Sequence, residues 1–163
     1  MKVHDLIKPE TVISDIRGTS NAEVLSELAD RASLHVHLDR LTVLRALLDR
    51  ESLGSTGLGM GAAMPHAHFK SLRNPFALFV CLKPTIDFHA LDKRPVDLIF
   101  LLLGPEPANT SYLKVLISTS RGLRDPGVRE RLRASTDVQS IVDALRHGIE
   151  QNSDQNFSSR EPR

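Results

Sequence analysis

Arg50-Glu51-Ser52-Leu53-Gly54-Ser55-Thr56-Gly57-Leu58-Gly59-Met60-Gly61-Ala62-Ala63-Met64-Pro65-His66-Ala67-His68 is the stretch around which the chain is organised. Gly54, Gly57, Gly59 and Gly61 lead into an apolar run, Ala62 to Met64, that stops at Pro65 with a histidine directly behind it. Glycine permits backbone angles and close approaches that side chains forbid. A short apolar run suits a buried strand, and proline cannot donate to a sheet ladder, so it belongs at a strand end. The reading is a loop, a short strand and His66 held at the rim. An imidazole there, with its ordinary pKa near neutrality, can serve as nucleophile, general acid/base or metal ligand. Spacing alone does not choose among the three.

Working outward, the segment before the loop reads as helical. Ser20-Asn21-Ala22-Glu23 has the form of a capping box, with Ser20 accepting from the Glu23 amide and Glu23 reaching back. Val24, Leu25, Leu28, Ala29 and Ala32 follow at helical spacing and define one buried face. Asp39 is a natural N-cap for a second helix through Leu41, Leu44, Leu47 and Leu48 to about Arg50. Ahead of both, Leu6-Ile7, Pro9 and Val12-Ile13 suggest one short strand before Gly18.

After His68, Phe76 to Leu82 and Val96 to Leu103 are apolar on both alternations, the pattern of strands covered on both faces. Thr110 opens a third helix marked by Leu113, Leu116, Ile117 and Leu123, which stops near Gly122 to Pro126. A short helix covers Val128 to Leu132. Thr136-Asp137-Val138-Gln139 reads as a second capping box, opening a last helix through Ile141, Val142 and Leu145 to Gly148. Ile149 to Arg163 is polar apart from Ile149 and Phe157 and reads as a disordered tail. The expectation is one α/β domain over residues 1–148, a mixed sheet covered by helices, with a tail over 149–163.

Composition narrows the function. A chain of 163 residues fits one domain, which at this size buries roughly 70% of the surface its unfolded form exposes. Lys+Arg 21 against Asp+Glu 20 gives a net charge of +1 with no basic stripe, and there are six Phe, one Tyr and no Trp. Nucleic acid is therefore a poor primary partner. Cys81 is the only cysteine and lies in an apolar run, so it reads as a small buried hydrophobe in a reducing compartment. No run approaches the roughly 20 apolar residues of a membrane span, and Met1 to Glu10 lacks a signal-peptide core. The expected location is the cytoplasm.

The stretch from Glu51 to Ala67 resembles the active-site signature of the fructose/mannitol-type enzyme IIA proteins of the bacterial phosphoenolpyruvate-dependent phosphotransferase system. The matching residues are Glu51, Leu58-Gly59 and Ala63-Met64-Pro65-His66-Ala67, with a departure at Ala62, where a larger aliphatic is usual. The wording Glu51 to Gly59 is most similar to the nitrogen-related regulatory branch. A second block, Ile86-x-Phe88-x-Ala90-x-Asp92 and Pro95-Val96-x-Leu98-x-Phe100-Leu101-Leu102, extends the likeness to about Leu6 to Leu145.

The resemblance implies a compact α/β domain in which His66 becomes a phosphohistidine, taking its phosphoryl group from a small phosphocarrier protein with no cofactor. It implies that Arg50 supports the phosphorylated state, and that regulatory targets, in relatives including potassium-uptake and sensor-kinase components, are selected by phosphorylation. Gly57, Gly59 and Gly61 either offer amides to the site or permit a tight path against a partner. Two residues depart from the family pattern: Tyr112 stands where a second histidine is usual, and His68 where Lys or Arg is common. A phenol donates a hydrogen bond to phosphate but cannot become cationic. Three other readings compete: a sugar-transport subunit passing phosphate to a IIB domain, a binding module without phosphotransfer, and a zinc site built from His35-x-His37 and His66-x-His68. The zinc reading is disfavoured because His35 and His37 fall in a polar connector between predicted helices.

Overall fold

The structure, a computed structural model, describes residues 3–154. Its elements are α1 (Val3–Leu6), a 3-10 turn (Pro9–Thr11), β1 (Val12–Ile13), α2 (Asn21–Val36), α3 (Arg40–Ser52), β2 (Gly57–Gly59), β3 (Ala62–Ala63), β4 (His66–Phe69), β5 (Phe76–Ile86), β6 (Val96–Pro105), α4 (Thr110–Arg124), α5 (Pro126–Ala134) and α6 (Val138–Asp154). The sheet runs β1-β5-β6-β3-β2, with β4 also on β6. It is mixed: β5 and β6 are antiparallel, while β1 is parallel to β5 and both β3 and β4 are parallel to β6.

Alternation along β6 explains why its sequence is apolar throughout. Ile99, Leu101 and Leu103 face one core, closed by Val24, Leu25, Leu28 and Ala32 of α2 and by Val43 and Leu47 of α3. Leu98, Phe100 and Leu102 face another, closed by Val115 and Leu123 of α4, Val128 and Leu132 of α5, and Val142 and Leu145 of α6. A strand buried on both faces has no polar alternate. The sheet is thus a middle layer between a helix pair and a helix trio, the α/β architecture read from sequence.

Pro65 does not end its strand for good. Ala62 and Ala63 pair with Leu98 and Ile99, and His66 to Phe69 pair with Leu102 to Pro105 in the same offset. Because Pro65 lacks an N–H, the ladder is interrupted there, yet its carbonyl still accepts from Leu102 N at 3.0 Å. His66 is therefore the first residue of a resumed strand, β4, that the sequence does not announce.

Helix boundaries follow local capping chemistry. Ser20 accepts from Glu23 N at 3.2 Å, and Glu23 reaches back to the amide and hydroxyl of Thr19, one residue before the cap. Asp39 caps α3 through Thr42 N at 3.2 Å. Asn109, not Thr110, caps α4 by accepting from Tyr112 N at 2.9 Å, since an amide oxygen reaches this donor and leaves Thr110 free to enter the helix. Asp137, not Thr136, caps α6, taking the Ser140 amide and hydroxyl at 2.8 Å each.

Two further expectations are corrected. α6 does not stop at Gly148 but runs to Asp154, and Ile149 is 2% exposed; residues 155–163 lie outside the described residues. Gly148 is a packing glycine, since a Cβ there would stand 2.8 Å from a Val128 methyl. His35 is not in a connector either: α2 carries it, stacked on Phe76 at 5.2 Å between centroids, and His37 caps the helix with φ 55°.

Candidate functional site

The register places His66 and His68 on the face of the sheet that also carries Met64, packed towards α4. Met64, the residue before Pro65, donates its N–H to Thr56 O and turns its carbonyl to the His66 ring. His66 Nδ1 lies 3.0 Å from that oxygen. A carbonyl can only accept, so Nδ1 carries the proton and the lone pair of the neutral ring is on Nε2.

Nε2 faces Arg50. The guanidinium Nε donates to it across 3.3 Å, while Nη1 donates to Gly54 O at 2.9 Å. Arg50 sits in the last turn of α3, so the helix delivers it to the rim and the carbonyl of the following loop fixes it. Burial lowers the pKa of His66; the Met64 carbonyl opposes this, and the charges of Arg50 and His68 push the same way as burial. The result is a half-buried, uncharged imidazole with a fixed tautomer, its Nε2 lone pair beside a cation.

The loop is held by a residue whose part the sequence motif only hinted at. Glu51 accepts from the Thr56 amide at 3.0 Å and from the Thr56 hydroxyl at 2.6 Å, and Thr56 O in turn accepts from Met64 N at 3.0 Å. Glu51 therefore ties the end of α3 to the strand that presents His66. Thr56 is buried. A buried hydroxyl needs a partner, and Glu51 supplies it.

Of the loop glycines, none is brought to Nε2. Gly57 N donates to Ser55 Oγ at 3.0 Å. Gly59 and Gly61 take φ of 88° and 84° on either side of Met60, whose amide and carbonyl are bound by Asp92 and Arg133. This turn abuts Ala62 opposite Leu98, whereas His66 lies opposite Leu102, roughly 13 Å further along the strands. Their role is conformational: a Cβ on Gly61 would stand 2.4 Å from Arg133 Nη2.

Tyr112 and His68 do meet. Their rings contact edge to face at 4.6 Å, and His68 Nδ1 lies 3.3 Å from Pro105 O. Tyr112 is fully buried, and burial pushes its phenol pKa up to about 12. Its ring covers Gly104, where a Cβ would be only 2.0 Å from Cδ2. Arg50, His66, His68 and Tyr112 thus form one neighbourhood, and His35 and His37 do not share it as ligands: among the described residues no three His, Cys, Asp or Glu side chains converge as a metal requires. Cys81 is half-buried, and burial pushes its thiol up to about 11. No helix among the described residues is long and apolar enough to cross a membrane.

A mixed sheet thus lies between two helical layers, and at the start of β4 a histidine is opposed by an arginine. The family described as "Phosphoenolpyruvate-dependent sugar phosphotransferase system, EIIA 2" matches residues 5–148, and this chain belongs to it. The chain is 41% identical over 145 residues to a nitrogen regulatory protein of Bradyrhizobium diazoefficiens, covering 89% of this chain and 95% of that one. Among solved structures, the nitrogen regulatory protein IIA-Ntr of Neisseria meningitidis superposes with a TM-score of 0.83 at 28% identity, covering 88% of this chain and 98% of that one. IIA mannitol of Escherichia coli shares the fold with a TM-score of 0.70 at 21% identity, over 85% of this chain and 97% of that one.

Proposed function

We propose that the chain is a regulatory phosphoacceptor in which Nε2 of His66 takes a phosphoryl group from a phosphohistidine on a small phosphocarrier protein. The donor's N–P bond breaks, its electron pair returns to the donor imidazole, and the Nε2–P bond forms. Positive charge developing on the His66 ring is met by the Met64 carbonyl at Nδ1, and the guanidinium of Arg50 faces the incoming phosphoryl oxygens. The observation that carries the reading is the fixed tautomer: Nδ1–H on Met64 O leaves the ring's lone pair on Nε2, where it faces the Arg50 guanidinium.

Apolar residues beside this loop suit a protein donor. Leu53, 84% exposed, follows α3, and Leu91, 98% exposed, belongs to the segment that Ser55 Oγ binds through Phe88 O at 2.7 Å. Adding close to two negative charges within such a rim would disfavour one class of partner and suit another. The regulatory branch is preferred to sugar transport because the chain is 41% identical over 145 residues to a nitrogen regulatory protein. Targets of the potassium-uptake or sensor-kinase kind, and action in the cytoplasm, follow from that preference.

The test is phosphorylation by phosphoenolpyruvate, an enzyme I-type kinase and a phosphocarrier. Acid-labile label on the wild type and none on His66→Ala is the expected result. No label from a demonstrably charged phosphocarrier would overturn it and make a binding module the working function. Rapid onward transfer to an isolated IIB domain would instead favour the transport role.

A further inference from the structure

A cleft of about 580 Å³ lies between α5 and α6, and no residue of α3, β4 or the glycine loop lines it. The two helices fold back along each other. Only residues 135–137 link them, and at the far end a Cβ on Gly148 would stand 2.8 Å from a Val128 methyl. Arg131 lies one turn on from Val128, and Ala144 one turn before Gly148, so the two stand about level across the cleft. One face of α6 supplies Ser140, Asp143, Ala144 and His147, the spacing of neighbours on successive turns.

Each of the two opposite charges in the cleft is held by its own helix. Nε of Arg131 donates to Gly127 O at 3.3 Å, and Oδ1 of Asp143 accepts from Gln139 Nε2 at 2.9 Å. Both contacts reach one turn, about 5 Å, toward the N-terminus of the helix concerned. Because the helices run in opposite senses, the charges are drawn apart, and among the described residues no ion pair joins them. A cation and an anion thus line one cleft, each oriented and neither neutralised by the other. The hydroxyls of Ser135 and Ser140 spend their protons on Arg131 O and Asp137 Oδ2, so toward the cleft they offer lone pairs only.

We propose that this cleft binds a free amino acid whose side chain donates hydrogen bonds. Its carboxylate meets the Arg131 guanidinium, whose planar donors suit two carboxylate oxygens, and its ammonium group meets the free oxygen of Asp143. His147, at the end toward which Arg131 is drawn, adds a ring donor to the carboxylate. The side chain reaches the lone pairs of Ser135 and Ser140 over the small residues Ala134 and Ala144. The volume falls within the range of small-molecule sites, roughly 300–1,000 Å³.

The test is an NMR titration of the full chain with L-asparagine, read at the methyls of Ala134 and Ala144 and at Cε1–H of His147. Saturable shifts at all three are expected. Succinamic acid, which lacks the ammonium group, and 3-aminopropanamide, which lacks the carboxylate, should bind roughly tenfold or more weakly, the worth of one charge-assisted hydrogen bond. Arg131→Gln should abolish the preference for asparagine over 3-aminopropanamide, and Asp143→Asn the preference over succinamic acid. Both positions are exposed, so neither variant threatens the fold. A titration without saturable shifts overturns the proposal. Succinamic acid binding as tightly as asparagine makes the cleft an anion site only and overturns it equally, as do preferences that survive in both variants.

Discussion

Nε of Arg50 lies 3.3 Å from Nε2 of His66, and the opposite ring nitrogen, Nδ1, is held by the Met64 carbonyl at 3.0 Å. The two contacts together decide the charge and tautomer of His66. Burial and the guanidinium both work against protonation, so the His66 resonances should titrate below the usual imidazole midpoint of 6.5 in an NMR pH series. Arg50→Met should move the midpoint upward, since one of the opposing charges is gone. A wild-type midpoint at or above that of a free histidine would refute the arrangement.

The same depression has a sign for stability. The folded pKa is below the unfolded one, so between the two the unfolded chain binds more protons and stability falls as pH drops. Above the ordinary histidine value His66 contributes nothing to this slope. Chemical denaturation of His66→Gln between pH 7 and pH 5 should therefore show a shallower loss than the wild type.

Glu51 holds Thr56 by two charge-assisted hydrogen bonds. Losing them leaves a buried hydroxyl and an amide unmatched, so Glu51→Ala should cost about 2 kcal/mol. Urea unfolding would register this as a lower midpoint with unchanged slope. Because Thr56 O binds Met64 N, phosphorylation of His66 should slow in the same variant.

Gly104 and Tyr112 are a matched pair. Gly104→Ala puts a methyl into the phenol ring, and overpacking of this kind costs about 1–3 kcal/mol. Thermal denaturation should show the loss, and adding Tyr112→Leu should recover part of it.

The extension of α6 past Gly148 is also open to test. Ile149 is 2% exposed in the core shared by α4 and α5, so Ile149→Ala should cost about 2–5 kcal/mol. A surface-like effect would restore the reading of a tail beginning there. Gly148→Ala should destabilise through Val128 and couple to Val128→Ala in a double-mutant cycle.

By itself the sequence determined the layers and the place of His66 at a strand rim. The unbroken apolar runs of β5 and β6 require cover on both faces, the spacing of Val24, Leu25, Leu28, Ala29 and Ala32 draws the face of α2, and Pro65 before His66 marks the rim, because each of these rests on local periodicity or on a residue's own backbone chemistry. Caps were legible only to within a residue, since Asn109 competes with Thr110 and Asp137 with Thr136 for the same amides. Tertiary structure alone decided the strand order, the resumption of the strand at His66, the tautomer set by Met64 and Arg50, and the seating of Tyr112 over Gly104. These depend on which distant segments lie side by side, and hydrogen bonds and close packing across such distances leave no period in the chain. The end of α6 belongs with them: one apolar residue, Ile149, is too weak a signal to extend a helix in sequence, but the pocket beside Gly122 and Val128 gives it a place to be buried.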